Sequence, residues 1–233
     1  MRPIEIKFRL DGPDRSLDAS VQLPREPLRP VELLPVLLSL SEAVVSIAEA
    51  RVAESGETIS CRAGCGACCR QLVPISEPEA LHLSALVAAM PEPRQSEVRE
   101  RFREARLRAA PVLESPILES MDMAAAAWPY FALGIACPFL ENESCGIHQQ
   151  RPSICREYLV VSAPEHCAKM DAENVRRVTV PAPVSTALMH FSDGRGTEKP
   201  RAMPLIHALE FTDDAQPQIP GPELFQNFLK QLG

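Results

Sequence analysis

Eight cysteines confined between Cys61 and Cys167 constrain this chain more than any other feature. Four of them form the run CRAGCGACC, as Cys61, Cys65, Cys68 and Cys69; the others are Cys137, Cys145, Cys155 and Cys167. The first 60 residues and the last 66 hold none. A chain of 233 residues can bury most of its apolar surface and fold without covalent staples. The cysteines are therefore not needed to rescue an undersized core, and their clustering indicates a shared task. Holding a metal is the task that fits best.

Metals that favour sulfur need thiolates to converge on them, to about 2.3 Å in the case of zinc. Cys65 and Cys68 stand two residues apart, a spacing that a tight turn brings onto one ion or cluster. Gly64 and Gly66 let that loop fold closely, and Cys61 can join from four positions upstream. The adjacent pair Cys68-Cys69 is less usual. Neighbours in an extended segment point opposite ways, so either Cys69 serves a second metal or one of the pair packs or reacts. With Cys137, Cys145, Cys155 and Cys167 added, three arrangements are open: two four-thiolate sites, one multinuclear cluster, or one site with spare thiols. Arg151-Pro152 is expected to open a helix over 152–160 with Pro152 at its first position. That places Cys155 in the first turn, where a helix N-terminus favours a thiolate. His148 is a possible nitrogen ligand, although a lone histidine more often serves otherwise.

CRAGCGACC, then CPFL at 137–140, then CGIHQQRPSICREY at 145–158, resembles the YkgJ-type cysteine-cluster family, also described as the zinc- or iron-chelating CxxCxxCC domain. The matching positions are Cys61, Cys65, Cys68, Cys69, Cys137, Pro138, Leu140, Cys145, Ile147, Arg151, Pro152, Cys155 and Arg156. His148 departs from the pattern, which usually has tyrosine there. The resemblance spans 61–167. It implies a metal site built from the eight cysteines, holding an iron–sulfur cluster, with zinc as the alternative. It implies no particular reaction. Arg151 and Arg156 have two readings of equal weight: guanidinium groups offsetting thiolate charge, or partners of Glu143, Glu157 or Glu165.

The expected fold is mainly α with a small β-hairpin, a single α+β domain organised around the metal site. Its parts are a hairpin and linker over 1–30, a helical cysteine-cluster region over 31–170, and a C-terminal extension over 171–233 packed on the same domain. Apolar residues alternate over 3–10 and 17–23 around Asp11-Gly12-Pro13-Asp14, the signature of a hairpin with one buried face. Helical spacing predicts a helix over 31–55, bent or started by Pro35 and ended by Gly56. Ser76-Glu77-Pro78-Glu79 carries a capping box that opens a helix to about Met90. Further helices are expected over 94–109, 116–127, 183–191, 203–211 and 222–232, and a strand over 175–180.

Basic and acidic residues number 24 and 31, a balance that offers no electrostatic footprint for nucleic acid. Arginines over 94–108 interleave with Glu97, Glu100 and Glu104, as on a solvated helix face. The most apolar stretch, 31–48, contains Glu32, Pro35 and Glu42, which argues against a membrane span. The N-terminus lacks the apolar run of a secretory signal. A cytoplasmic chain follows as the expectation, in a compartment where cysteine clusters bind metal or do redox chemistry. Its expected partner is a metal ion or cluster, with no protein partner legible. An iron-dependent enzyme is a second reading, although no phosphate loop, H-E-x-x-H or G-x-S-x-G motif supports one. A disulfide-rich exported protein is a third, disfavoured by the missing signal and the adequate core.

Overall fold

In the computed structural model, residues 3–11, 16–113, 123–191, 194–196, 198–212 and 217–232 are described. The alternation in the first segment produces strands β1 (Ile4–Asp11) and β2 (Ser16–Leu23), antiparallel with Ile4 opposite Leu23 and Phe8 opposite Ala19. The Gly12-Pro13-Asp14 turn lies outside the described residues. Ile4, Ile6, Phe8 and Val21 share one face and pack on the core, while Glu5, Lys7 and Arg9 face solvent.

Helix α1 (Pro30–Glu54) follows the link, which itself forms the short strand β3 (Pro27–Leu28). It begins at Pro30 and runs through Pro35, so the interior proline neither starts nor ends it. Its N-terminus is closed by Glu32, whose carboxylate accepts from the Arg29 amide at 2.9 Å. Gly56, with φ +76°, takes the left-handed position after the last turn. By length and composition α1 is apolar enough to cross a membrane, with mean hydropathy 1.8 over its most apolar window; half of that window is buried inside the protein. Leu33, Leu34, Leu37 and Val44 form the largest core with the C-terminal helices.

Helix α2 (Glu77–Ala88) starts on the expected capping box: Glu79 N reaches Ser76 Oγ, and the Glu79 carboxylate accepts from Ser76 N at 2.9 Å. Helix α3 (Arg94–Leu113) runs four residues beyond the expected end, because Val98, Phe102, Ala105, Ala109 and Leu113 keep one buried stripe going past the charged stretch. Of the helix expected over 116–127, the part before Met123 falls outside the described residues; the rest is helical and continues to Ala132 as α4 (Met123–Ala132). The second cysteine segment contains α5 (Ser153–Glu157) and α6 (Pro164–Cys167), and α7 (Val184–His190) follows it. The strand expected over 175–180 reduces to one bridge between Val160 and Arg177. The helix expected over 203–211 becomes a two-residue strand, β7 (Met203–Pro204), followed by a 3-10 helix over Leu205–Glu210. Pro204 withholds its N–H just where an α-helix would start, and Pro74 of β4 (Pro74–Ile75) pairs with it instead.

Helix α8 (Gly221–Leu232) closes the chain. Its stripe is core packing, as expected: Leu224, Phe225 and Phe228 are buried against Phe191 and α1. The short strand β8 (Ile219–Pro220) before it pairs with β3, returning the C-terminus to the link after the hairpin. Two smaller cores lie on the other side. One joins Leu83, Val98, Phe102, Phe139 and Leu205; the other joins Ala109, Tyr130, Ile135 and Ile206. The protein is mainly helical with small antiparallel strand pairs, and the cysteine segments run between these cores.

Candidate metal centre

The first cysteine segment carries a 3-10 turn, Ala67–Arg70. This corrects the expectation that Cys68 and Cys69 point opposite ways. A 3-10 turn advances a third of a revolution per residue rather than half, so both side chains reach the same cavity. Gly64 has φ +83°, which a side chain would oppose. Gly66 is needed for a different reason: a Cβ there would lie 2.6 Å from Glu143 Oε2 and 2.9 Å from Leu140 Cδ1. The turn therefore lies directly on the hairpin formed by β5 (Leu140–Glu141) and β6 (Ser144–Cys145).

That hairpin positions two more thiols. Cys137 N donates to Cys69 O at 2.7 Å, and Leu140 N donates to Cys137 O at 2.9 Å. Leu140 then pairs with Cys145. The turn between the strands uses Asn142 and Glu143 at positive φ, and Glu143 is held by Arg70 at 2.6 Å. Arg94 and Arg101 of the charged helix reach across to Glu141. That face is thus less purely solvated than the sequence pattern implies.

Cys155 sits on α5, whose first helical residue is Ser153, with Pro152 as the cap rather than the first residue. Five residues make a short helix, and burial outweighs its N-terminal dipole: the Cys155 thiol is pushed well above its ordinary value. Three buried charged groups fix this helix. Glu79, already capping α2, accepts from Ser153 N at 2.8 Å and so caps a second helix. Glu157 accepts from Ser41 Oγ at 3.1 Å and from Ser185 N and Oγ. Burial raises its carboxyl despite those bonds. Arg156 donates to Arg151 O at 2.9 Å, to Gln149 O and to Glu42. Glu42, Ser41 and Ser185 escape sequence reading because they lie far along the chain; Glu79 was visible as a cap, though not its second duty.

The remaining thiols gather by long-range pairing. Ser60 N donates to Val160 O at 2.9 Å, which sets Cys61 beside Tyr158, whose carbonyl lies 3.8 Å from Cys61 Sγ. Helix α6 packs on the 3-10 turn, and Gln71 Nε2 approaches Cys167 O at 3.5 Å. All eight cysteines border one cavity of about 420 Å³, walled on its apolar side by Val73, Phe139, Ile147, Leu159, Val160 and Leu205. None of the eight is in a disulfide. Among the described residues, no three His, Cys, Asp or Glu side chains are close enough together to hold a single ion.

Burial raises the thiols of Cys61, Cys145 and Cys167, and takes Cys137 up to about 12. Cys68 is raised first by hydrogen bonding with the neighbouring Cys69 thiol and then by burial. Arg151 acts the other way. Its charge favours the thiolates of Cys61, Cys68 and Cys145, and its Nε is buried without a hydrogen-bond partner. Arg151 Nη1 meets His148 Nε2 at 2.9 Å. A guanidinium can only donate, so that histidine nitrogen is the acceptor and its lone pair is already committed. The two arginines thus separate. Arg156 forms an ion pair, with Glu42 rather than Glu143, Glu157 or Glu165, and Arg151 offsets thiol charge.

Eight soft donors around one partly apolar cavity suit zinc or iron–sulfur chemistry. No curated protein and no solved structure matches this chain. A family model does, the CxxCxxCC model described as "Putative zinc- or iron-chelating domain", and it covers residues 60–177, half of the chain and all eight cysteines. The chain belongs to the zinc- or iron-chelating CxxCxxCC family.

Proposed function

We propose that this protein holds iron as an iron–sulfur cluster in the cytoplasm, through thiolates from the segments 61–69 and 137–167. The observation that carries this reading is the gathering of the thiols. All eight border one cavity. A tetrahedral zinc site takes four sulfurs about 2.3 Å from one ion. A cluster is held by cysteine thiolates as well, and it needs more room than a single ion. The about 420 Å³ available is many times the roughly 30 Å³ of one water. Free thiols also fit a reducing compartment. Zinc in a structural or metal-handling role is the second reading, favoured by the same donor set.

The cluster would supply electron transfer or Lewis acidity. The chain's own residues anchor its ligands: Glu79, Arg156 and Glu157 hold the Cys155 helix, and Arg151 offsets charge. Metal binding then joins distant segments, so its free energy becomes folding free energy. The test is iron, zinc and acid-labile sulfide per chain, on protein purified without oxygen and without a metal-binding tag. Iron with matching sulfide is the expected result. Zinc without sulfide would overturn the cluster reading.

A further inference from the structure

All eight cysteines border the cavity, but the segments that carry them are not held alike. Cys68 and Cys69 stand on the 3-10 turn, seated at Gly66 against the β5–β6 hairpin, and Cys69 O accepts from Cys137 N. Cys145 is paired within that hairpin, and Cys167 is buried on α6. Cys155 rides on α5, which Glu79 ties to α2 and Glu157 ties to α1 and α7. Cys61 and Cys65 come from a stretch without such support. It is pinned at Ser60, whose N–H donates to Val160 O at 2.9 Å, and at Gly66, whose carbonyl accepts from Arg70 Nη1 at 3.0 Å. Next to the first pin, the Cys61 thiol faces Tyr158 O at 3.8 Å, and a thiol is a weak donor. Beyond it, residues 62–65 share one local turn bond, from Cys65 N to Arg62 O at 3.1 Å. Among the described residues, no hydrogen bond or ion pair ties 62–65 to another segment. Arg62, Ala63 and Gly64 are exposed on one side and border the cavity on the other. A Cβ on Gly64 would meet nothing within 4 Å, so the loop stands clear of the rest of the protein there.

We propose that residues 61–65 form a flap on the cavity, hinged at Ser60 and Gly66, that opens to pass metal and is latched by the Cys61 and Cys65 thiolates once metal is bound. A segment with exposed backbone and no long-range hydrogen bonds opens locally at a cost far below that of global unfolding. The other six thiols sit on supported elements, so the wall that receives metal stands before the flap closes. Closing then takes two thiolates, one beside each hinge, and needs no movement of the hairpin, α5 or α6. The inference rests on the thiolate-metal reading above and adds how metal enters and which thiols close behind it.

The test uses the intact wild-type chain under exclusion of oxygen, stripped of metal or loaded with zinc ion alone, the bound zinc being counted by native mass spectrometry. Trypsin cuts after accessible arginines, and Arg62 lies inside the flap. In the stripped chain the Arg62–Ala63 bond should be the first cut. At free zinc about 100 times Kd that cut should slow about 100-fold, the factor by which binding suppresses an opening that releases metal. Hydrogen exchange on the same samples should show amides 62–65 protected only with zinc, and those of 137–145 and 153–157 protected in both. A chain with zinc bound that is cut after Arg62 as fast as the stripped one overturns the flap. So does a stripped chain in which 137–145 and 153–157 exchange as freely as 62–65, since no wall then stands before metal; the metal reading survives either result. Wild-type protein that takes up no zinc and no iron with sulfide overturns both. Cys61→Ser/Cys65→Ser should lose the zinc protection at Arg62, and protection equal to wild type's would overturn the latch.

Discussion

Arg156 offers the sharpest test of how the cysteine-bearing loop is held. Its side chain is 4% exposed, whereas that of its carboxylate partner Glu42 is 63% exposed. It donates to Arg151 O at 2.9 Å and to Gln149 O, both in the segment that links Cys145 to Cys155. Hydrogen bonds from a charged donor contribute about 1.5–3 kcal/mol each, and half-exposed ion pairs about 0–1 kcal/mol. The two carbonyl bonds therefore outweigh the ion pair. Arg156→Met should destabilise the fold by about 3–5 kcal/mol, which corresponds to a fall in Tm of roughly 6–20 °C for a chain of this size. Glu42→Gln should cost less than about 1 kcal/mol, since it leaves an oxygen for Nη1 and water reaches that end. Urea unfolding of both variants, each with and without bound metal, measures the difference. Equal losses in the two variants, or a loss under about 1 kcal/mol in Arg156→Met, would refute the argument that the carbonyls dominate.

Two further outcomes follow from the same geometry. Gly66→Ala removes no thiol, yet its Cβ would press on Leu140 and on a Glu143 side chain held by Arg70; it should cost about 1–3 kcal/mol and lower bound metal, and wild-type metal content with wild-type stability would show that the turn and hairpin need not touch. His82 donates to Gln150 Oε1 at 3.0 Å, and burial holds its folded pKa below the ordinary 6.5. Above 6.5 the imidazole is neutral in both states and its contribution is fully present. As pH falls toward the depressed folded value, the unfolded chain takes up the proton first and stability is lost. Urea midpoints between about pH 7.5 and pH 5 should fall less steeply in His82→Gln than in wild type; identical slopes would sink the assignment.

Local structure was largely legible where one physical cause acts alone. The hairpin over Ile4–Asp11 and Ser16–Leu23 follows from alternation, the start of α2 from its capping box, and α8 from its apolar stripe. Reading failed where packing from another part of the chain decides. Helix α1 passes through Pro35 because Leu33, Leu34, Leu37 and Leu38 around it are all buried in the main core, so tertiary burial outweighs one missing hydrogen bond. Arg177 pairs with Val160 as an isolated bridge, although the sequence pattern there reads as a strand. Among the described residues, each sheet has two strands, too small to be announced by sequence pattern.

The site divides along the same line. Which residues are chemically suited to metal was readable from type and clustering, and the structure brings all eight cysteines to one cavity. What each neighbour does was not readable, and Arg151 and Arg156 show why. They are the same residue type, five positions apart in one motif, and the motif alone weighs them equally. The difference is made by the Arg151 and Gln149 carbonyls, joined by Glu42 114 positions away on α1, which together engage Arg156, while Arg151 borders the cysteine cavity. Backbone carbonyls, which no side-chain pattern announces, therefore do most to decide which guanidinium the cysteines feel. If that division of labour holds, replacing Arg156 disturbs folding first and metal only through it, whereas replacing Arg151 acts on the thiolates directly.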